Sequence, residues 1–457
     1  MHVGRWRSGW LRYGLVACAW LLSVGGHAVL AYCVRREQFY LLVGLWSILF
    51  VLYFVILRNA LQLNLWVLTV GAVVLRLVYL KAVPALSDDY NRFLWDGHLW
   101  QLGINPYAHR PVDLMAQNRE LPAPLPSLFA GLNSPLYYTV YPPLLQYVFR
   151  LSALTGPDIE QGIMVLRAVV VLAETGTLLC LPGLLRRLGL PASRTWWYGY
   201  NPLIITELTG NLHMEGLMIF AITIALCFLL LGRKPSAAVA WAAAVAVKLL
   251  PLMWLAFLPK RMRGYSILFG FAVVALVALS FLPFAEIVSA KNLGQSLDLY
   301  FRKFEFNAGI YGFVRWISTQ LYGYHHIATT GPLLALLAAV LIGALAVTER
   351  HADMTRLPRM MLLSLTIYLL CSPVVHPWYL ATLVALAPMA GVYFPLVWSA
   401  AVVVSYAAYR QQPYEEIGWL VALEYVLVGA TMVADYVRSI KVSGKEPREP
   451  AAAAGEV

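Results

Sequence analysis

Long blocks of apolar residues separated by short polar connections are the dominant pattern along this chain. The blocks are continuous, not alternating, and run for about 17–25 residues, the length that a helix needs to cross about 30 Å of hydrocarbon. The pattern predicts an all-α, polytopic transmembrane helix bundle with about 12–14 membrane segments. The predicted spans are 11–33, 38–57, 62–83, 163–185, 196–211, 213–231, 265–284, 331–348, 358–375, 377–390, 392–409 and 417–437, with a helical hairpin at 236–258 that is broken near Lys248 and Pro251.

Two stretches, 84–160 and 286–330, are less apolar and interrupt this pattern. Apolar and charged residues alternate irregularly over 90–102, which is typical of a helix lying along a membrane surface. We therefore predict two large extracytoplasmic loops that carry interfacial helices. The chain is expected to form a single transmembrane domain over 1–440, followed by a polar, disordered cytoplasmic tail at 441–457.

The distribution of positive charge predicts the orientation of the chain. Only 12% of the residues are charged, yet the net charge is +11. The Lys and Arg residues lie in short loops, where they favour the cytoplasmic side, and this argues against a nucleic-acid partner. Arginines before the first block place the N-terminus inside, the C-terminus also inside, and both large loops outside. A crossing at 141–154 would move Arg186, Arg187 and Arg194 outside, so we expect this segment only to dip into the interface.

Two adjacent carboxylates, Asp88 and Asp89, directly follow the third span. One interpretation is that they cap the helix beginning near Tyr90, since a carboxylate accepts backbone N–H bonds there. One carboxylate is enough for a cap, however, and Arg92 and Asp96 follow on the same helical side. We therefore predict that Asp89 or Asp88 is a general base at the membrane surface, with Arg92 and Asp96 contacting substrate.

Further candidates lie near the ends of later spans. Glu207, Asn211, His213 and Glu215 surround the outer end of a predicted helical hairpin, and they are either simply solvated or position a substrate. One histidine with two glutamates is a weak indication of a metal, so we predict no metal site, although a divalent ion is not excluded. Lys248 lies within an apolar block, where a lysine costs about 3 kcal/mol, and either binds a phosphate or extends to the interface.

His376, Trp378 and Tyr379 follow a proline that breaks a helix between two spans. They could contact a phosphate and a sugar ring, or they could belong to an aromatic belt at the interface. Arg302 and Lys303 in the second loop are solvated charges or bind an anionic lipid headgroup. The five cysteines show no paired or metal-type spacing and are interpreted as packing residues.

Several motifs, taken in their order, resemble those of polyprenol-phosphate-sugar-dependent integral membrane glycosyltransferases of the GT-C class, closest to the bacterial mannosyltransferase-like families. The resemblance covers about 84–390. The two spans before residue 60 are additional to the simplest members. The motifs are Ser-Asp-Asp-Tyr-Asn-Arg-Phe-Leu-Trp-Asp-Gly (87–97), Gly-Ile-Asn-Pro-Tyr (103–107), Val-Tyr-Pro-Pro-Leu (140–144), Asn-Pro-Leu-Ile-Ile-Thr-Glu (201–207), Val-Lys-Leu-Leu-Pro-Leu (247–252) and Ser-Pro-Val-Val-His-Pro-Trp-Tyr (372–379).

The resemblance implies a membrane enzyme that moves a hexose, with mannose favoured, from a polyprenyl-phosphate donor to an envelope glycan or glycolipid acceptor. It implies inversion at the sugar carbon and an aspartate base, which would be Asp89 because Phe93 follows it by four residues. Lys248, His376 and Arg302 are then the candidates for stabilising the phosphate leaving group. The expected location is the bacterial inner membrane, with the active site extracytoplasmic. The rival interpretation is a transporter or flippase of lipid-linked sugars without catalysis.

Overall fold

The structure, a computed structural model, describes residues 3–59, 64–117, 120–286, 291–296 and 304–443, and this part of the chain is helical with no β-strand. Arg302 and most of the predicted tail lie outside the described residues. The α-helices of eight or more residues are Val3–Cys33, Phe39–Asn59, Leu65–Leu77, Asp89–Gln101, Pro143–Ala153, Ile159–Arg187, Glu215–Leu230, Lys234–Val247, Tyr265–Ser280, Ile310–Tyr322, Ile327–Thr348, Leu357–Cys371, Ala381–Ala390, Phe394–Ala401 and Gly418–Ser443. The last helix extends slightly into the segment predicted as tail.

Five of the described helices are long and apolar enough to cross a membrane, which confirms the prediction of a helical membrane protein. They are Arg12–Cys33, Phe39–Asn59, Ile159–Arg187, Ile327–Thr348 and Gly418–Lys441. A sixth span is formed if the bent pair Ile204–Gly210 and Glu215–Leu230, which meet at 111°, is counted as one. Four shorter apolar helices accompany them. The long helices are therefore fewer than the predicted segments.

The difference arises because several apolar blocks are divided into short helices. The predicted span 196–211 consists of a five-residue helix, Thr195–Gly199, and a π-helical segment, Ile204–Gly210, with Pro202 between them. The predicted break at Lys248 is present, since helix Lys234–Val247 ends there with Lys248 in an extended conformation. Proline lacks a backbone donor, and π-helical turns shift the hydrogen-bond register, so both interrupt a regular helix.

The first large loop is built on two helices that pack against each other, Asp89–Gln101 and Pro143–Ala153. Their contact is close because a Cβ at Gly97 would lie 2.1 Å from the carbonyl oxygen of Phe149. The ring of Phe93 stacks on that of Phe149 with centroids 4.7 Å apart. The second helix has 11 residues, or about 16 Å of length, and cannot cross the bilayer alone. The interfacial dip of this segment stays a prediction.

Buried charges hold the π-helical segment in place. Arg76 donates to Glu174 at 3.0 Å, and neither side chain is exposed. Glu174 also accepts from the hydroxyl of Thr209 at 2.5 Å. Arg167 donates to the carbonyl oxygens of Thr209 and Gly210 at 2.9 and 3.0 Å. These bonds satisfy backbone groups that a π-helical end leaves unpaired, which is necessary where water is scarce.

Several long-range contacts join loops that are predicted to lie on the same side of the membrane, and the sides themselves stay a prediction. Arg261 pairs with Glu349, and Asp435 accepts from the backbone N–H of Tyr393. These residues lie in loops or helix ends predicted to be cytoplasmic. Arg36 pairs with Asp88, and Asn292 donates to the carbonyl of Tyr107 at 3.0 Å. These residues lie in loops predicted to be external, the first pair at the start of the helix Asp89–Gln101 and Tyr107 beyond its end.

Candidate active site

The two adjacent aspartates are held differently at the start of their helix. Asp88 occupies the N-cap position but makes no side-chain capping bond. The backbone N–H of Asp89 donates instead to the Ser87 hydroxyl at 3.3 Å. The Asp88 carboxylate accepts from Arg36 at 2.7 Å, and the Arg36 guanidinium lies 5.0 Å from the centre of the Tyr409 ring. Helix capping by the side chain therefore does not explain Asp88, which is committed to an ion pair.

The Asp89 carboxylate lies between two different partners. Its Oδ1 accepts from the Asn133 amide at 2.9 Å, and its Oδ2 lies 4.0 Å from Nδ1 of His213. Burial, together with the neighbouring carboxylates of Glu215 and Asp88, raises the pKa of Asp89 to about 6, against the opposing effects of Asn133 and Lys248. The side chain is still 23% exposed. This carboxylate is thus ionised at neutral pH, yet basic enough to accept a proton.

Three aromatic rings form a stack beside Asp89. The ring of His213 lies on that of Trp378 with centroids 3.7 Å apart, and His376 covers the other side of Trp378 at 4.3 Å. The two imidazoles therefore cover both faces of the Trp378 ring. Leu212, directly before His213, is buried with a φ of +63°, an uncommon backbone conformation for a bulky residue. Such strain is found where a site fixes the backbone.

His376 is positioned by the second large loop. The N–H of Phe306 donates to the carbonyl of Pro373 at 3.0 Å, and the N–H of Val375 donates to the carbonyl of Phe306 at 2.8 Å. Burial and the positive charge of Lys248 lower the pKa of His376 to about 3. The imidazole is thus neutral at neutral pH, and its Nδ1 has no hydrogen-bond partner among the described residues. It can offer hydrogen bonds to a leaving group but not the positive charge considered from sequence.

Lys248 is the cation of this group. Its ammonium pairs with the carboxylate of Glu215 and lies 4.1 Å from the centre of the Tyr379 ring. The break at the end of the helix Lys234–Val247 places it there, with Lys248 in an extended conformation. The Lys248 side chain is one-third exposed, so a substrate phosphate can reach it while the ion pair with Glu215 remains in place.

The Glu207 side chain is more completely buried than that of Asp89. Its Oε1 accepts from the hydroxyl of Tyr406 at 2.8 Å, and its Oε2 accepts from Asn211 at 3.1 Å. His213 Nε2 lies 3.5 Å from the same Oε2. Glu207 is fully buried, so it supports His213 and Asn211 and is not positioned to touch a substrate directly.

Arg92 and Asp96 are not part of this group. Arg92 donates to Asp96 at 2.8 Å and to the carbonyl of Tyr137 at 3.0 Å, and Gln146 donates to the other Asp96 oxygen at 3.2 Å. Both charged side chains are buried. Their partners are residues of the first loop, so their geometry favours a structural role over the substrate contact predicted from sequence. Arg302 lies outside the described residues, so the role predicted for it stays a prediction.

An open cleft of about 640 Å³ adjoins Asp88. Its lining includes Asp88, Tyr90, Asn133 and Tyr414. Among the described residues no group of three or more His, Cys, Asp or Glu side chains could hold a metal ion. The absence of a metal cofactor stays a prediction.

Sequence reasoning missed several residues that build the site. Arg36 and Asn133 contact the two aspartates, but neither belongs to a motif, and no local pattern indicates these contacts. Arg76, Arg167 and Glu174 are different, because each lies within a predicted span. Ionisable residues there are rare and need a partner, so their presence alone could have identified them.

Comparison with known proteins gives a consistent result. Residues 1–262 match the family described as alpha-(1→6)-mannopyranosyltransferase, N-terminal domain. A segment is 30% identical over 142 residues to such a transferase of Mycobacterium tuberculosis, covering 31% of this chain and 23% of that protein. Alpha-(1→6)-mannopyranosyltransferase A of the same organism is 27% identical over 209 residues, covering 44% and 39%. The B protein of Corynebacterium glutamicum is 26% identical over 153 residues, covering 33% and 23%. The matched segments thus span less than half of these relatives.

Proposed function

This chain belongs to the alpha-(1→6)-mannopyranosyltransferase family, and on that premise we propose that it transfers a mannosyl residue from a polyprenyl-phosphate donor to an envelope glycan or glycolipid. The single observation that supports the chemistry best is the setting of Asp89. Its carboxylate is partly exposed, has a raised pKa, and lies beside a group that contains a cation and a neutral imidazole. A base next to a phosphate-binding group is what a displacement at a sugar carbon requires.

In the proposed reaction, the acceptor hydroxyl oxygen attacks the anomeric carbon of the donor sugar. A new carbon–oxygen bond forms on one face while the bond to the lipid phosphate breaks on the other, which inverts the configuration. The hydroxyl proton goes to Asp89, and the bonding electrons leave with the phosphate. Lys248 then stabilises the negative charge on the phosphate, and His376 donates a hydrogen bond to it.

Asp89 is a better base than Asp88 for a physical reason. The ion pair with Arg36 engages one oxygen of the Asp88 carboxylate at 2.7 Å and holds that side chain in place. Asp89 accepts a hydrogen bond from the neutral amide of Asn133, and burial raises its pKa to about 6. We therefore assign the proton transfer to Asp89 and the local organisation of the loop to Asp88.

The rival function, transport without catalysis, would need polar side chains that line a path across the bilayer. The structure does contain buried charges within predicted spans, namely Arg76, Arg167 and Glu174. Arg76 pairs with Glu174, and both arginines donate to backbone carbonyls. This is the arrangement of a structural network. This favours the transferase.

The decisive experiment replaces Asp89 by asparagine in the full chain reconstituted in lipid nanodiscs. This change preserves the shape of the side chain and removes its basicity, so transfer to acceptor should fall by about 10²–10⁴-fold, with thermal stability unchanged. Asp88→Asn is the matched control and should lose much less. Full transfer by the Asp89→Asn protein would rule out the proposed base.

The proposed location is the inner membrane of a bacterium, with both termini cytoplasmic and Asp89 on the outer face. Ser127 is an exposed residue of the cleft, so a Ser127→Cys variant reports which side the site faces. A membrane-impermeant thiol reagent should label it in spheroplasts, above the level from the native cysteines. Labelling only after the cells are broken would refute the orientation.

A further inference from the structure

The cleft beside Asp88 has a direct structural link to the base. Asn133 lines the cleft, and the same side chain donates to Oδ1 of Asp89 at 2.9 Å. The other carboxylate oxygen, Oδ2, is the one near His213. Asp89 does not itself line the cleft, and Asn133 links the cleft to its Oδ1. His213 lies toward Oδ2, and the cation next to the cleft, Arg36, is paired with Asp88.

The lining of the cleft has the chemistry of a carbohydrate site. Tyr90 and Tyr414 supply aromatic rings, and Ser127 and Asn133 supply neutral hydrogen-bonding groups. Tyr414 is 54% exposed. Its ring packs edge-to-face on that of Tyr409, with ring centroids 5.0 Å apart. An aromatic ring with one apolar face and a polar tip can cover a sugar ring while its hydroxyl remains hydrogen-bonded.

The charge of the cleft argues for a neutral ligand. The one carboxylate in its lining is that of Asp88, and this carboxylate is neutralised by Arg36 at 2.7 Å. No lysine or arginine is among the lining residues described. An anionic phosphate would find no cation here, whereas Lys248 offers one outside the cleft. The cleft therefore suits an uncharged saccharide.

The loop that forms one wall is fixed. The Asn91 amide donates to the carbonyl of Gly131 at 3.1 Å and to that of Asp88 at 3.2 Å. A Cβ at Gly131 would lie 2.8 Å from the Asn91 side chain, so the approach depends on glycine. Because this contact ties the wall to the start of the catalytic helix, the cleft is preformed. Its volume of about 640 Å³ is within the usual range of small-molecule sites and leaves room for more than one pyranose ring.

We propose that this cleft binds the acceptor as a neutral mannoside and presents its hydroxyl to Asp89, while the donor phosphate binds on the side of Lys248. The proposal rests on the proposed transferase function, since it names the acceptor side of the same site. It makes Tyr414 a determinant of acceptor affinity that touches neither the base nor the donor phosphate.

The first test measures binding without turnover. The full-length Asp89→Asn protein in nanodiscs is titrated with α-(1→6)-linked mannobiose and, separately, with mannose 1-phosphate. Mannobiose should bind more tightly to the cleft, and Tyr414→Ala should weaken its binding by about tenfold, since stacking on an aromatic ring is lost. Tyr324→Ala is the matched control, because Tyr324 is 59% exposed in another external loop, and it should bind normally. Unchanged affinity in Tyr414→Ala would refute the cleft as the saccharide site.

A second variant keeps the test valid if Tyr414→Ala fails to fold. Ser127→Trp fills the cleft from an exposed position and should also abolish mannobiose binding. In the catalytically competent protein, Tyr414→Ala should raise the KM for acceptor and leave the KM for donor unchanged. A raised donor KM would instead place the donor in the cleft and overturn the proposal. If mannobiose binds through Tyr414 but no mannosyl transfer occurs, the transferase function fails and the saccharide site stands.

Discussion

The hydrogen bond between Asn133 and Asp89 provides a sensitive test of the proposed base. Its removal in Asn133→Ala takes away a donor that stabilises the charged carboxylate. The pKa of Asp89 must then rise further above its already raised value of about 6. Since the ionised carboxylate is the active form, transfer requires a pH above this pKa. The acid limb of the pH profile should therefore move to higher pH.

The size of the shift follows from the bond that is lost. A hydrogen bond to a charged group contributes about 1.5–3 kcal/mol, and the lower end applies because Asn133 is exposed to solvent. One pKa unit corresponds to about 1.36 kcal/mol, so the limb should move by about one pH unit. Relative to its own plateau, kcat/KM should then fall by about tenfold near pH 5 and remain almost unchanged above about pH 8.

The assay follows mannosyl transfer by the full chain in nanodiscs from about pH 5 to pH 8.5. Each profile is normalised to its own plateau, so a general loss of acceptor affinity through the cleft does not affect the position of the limb. Asn105→Ala is the matched control, because Asn105 also lies in the first loop and donates to a carboxylate, that of Glu286, at 3.1 Å. A limb that stays in place in Asn133→Ala, or moves equally in Asn105→Ala, would refute Asp89 as the titrating base.

Two further predictions concern the cation and the loop packing. Lys248→Met should raise the KM for donor and lower kcat, because the phosphate loses its positive partner. Lys248→Arg keeps the charge and should recover part of both effects. Equal losses in both variants would indicate that Lys248 has a purely structural role. Gly97→Ala should lower the free energy of unfolding by about 1–3 kcal/mol because its Cβ would collide with the carbonyl of Phe149. Gly44→Ala, in a helix where a Cβ meets nothing within 4 Å, should not destabilise the protein, and destabilisation in both would refute the packing argument.

The long apolar helices were predictable from the sequence because hydrophobicity is a local property of the chain. Blocks such as 38–57 and 331–348 correspond to Phe39–Asn59 and Ile327–Thr348 within a few residues. The short helix of the first loop was also indicated, since its mixture of apolar and charged residues is typical of an interfacial helix. Among the predicted spans that contain proline, 196–211 is divided at Pro202, whereas the helices that contain Pro182 and Pro332 stay continuous. Proline content and hydropathy together therefore do not locate the breaks.

The sequence by itself also placed the candidate residues Asp89, His213 and His376 near the ends of spans on the predicted external side, whereas Lys248 was expected within an apolar block. It could not show that Asn133 and His213 approach the two oxygens of the same carboxylate, that Trp378 lies between two imidazoles, or that Arg36 occupies Asp88. Except for the contact between His376 and Trp378, these contacts join residues that are 44 or more positions apart. Only the packing of whole helices fixes such distances, because hydrophobic burial selects which faces meet and does not encode their polar partners along the chain. The choice between the two aspartates was thus decided by the tertiary structure.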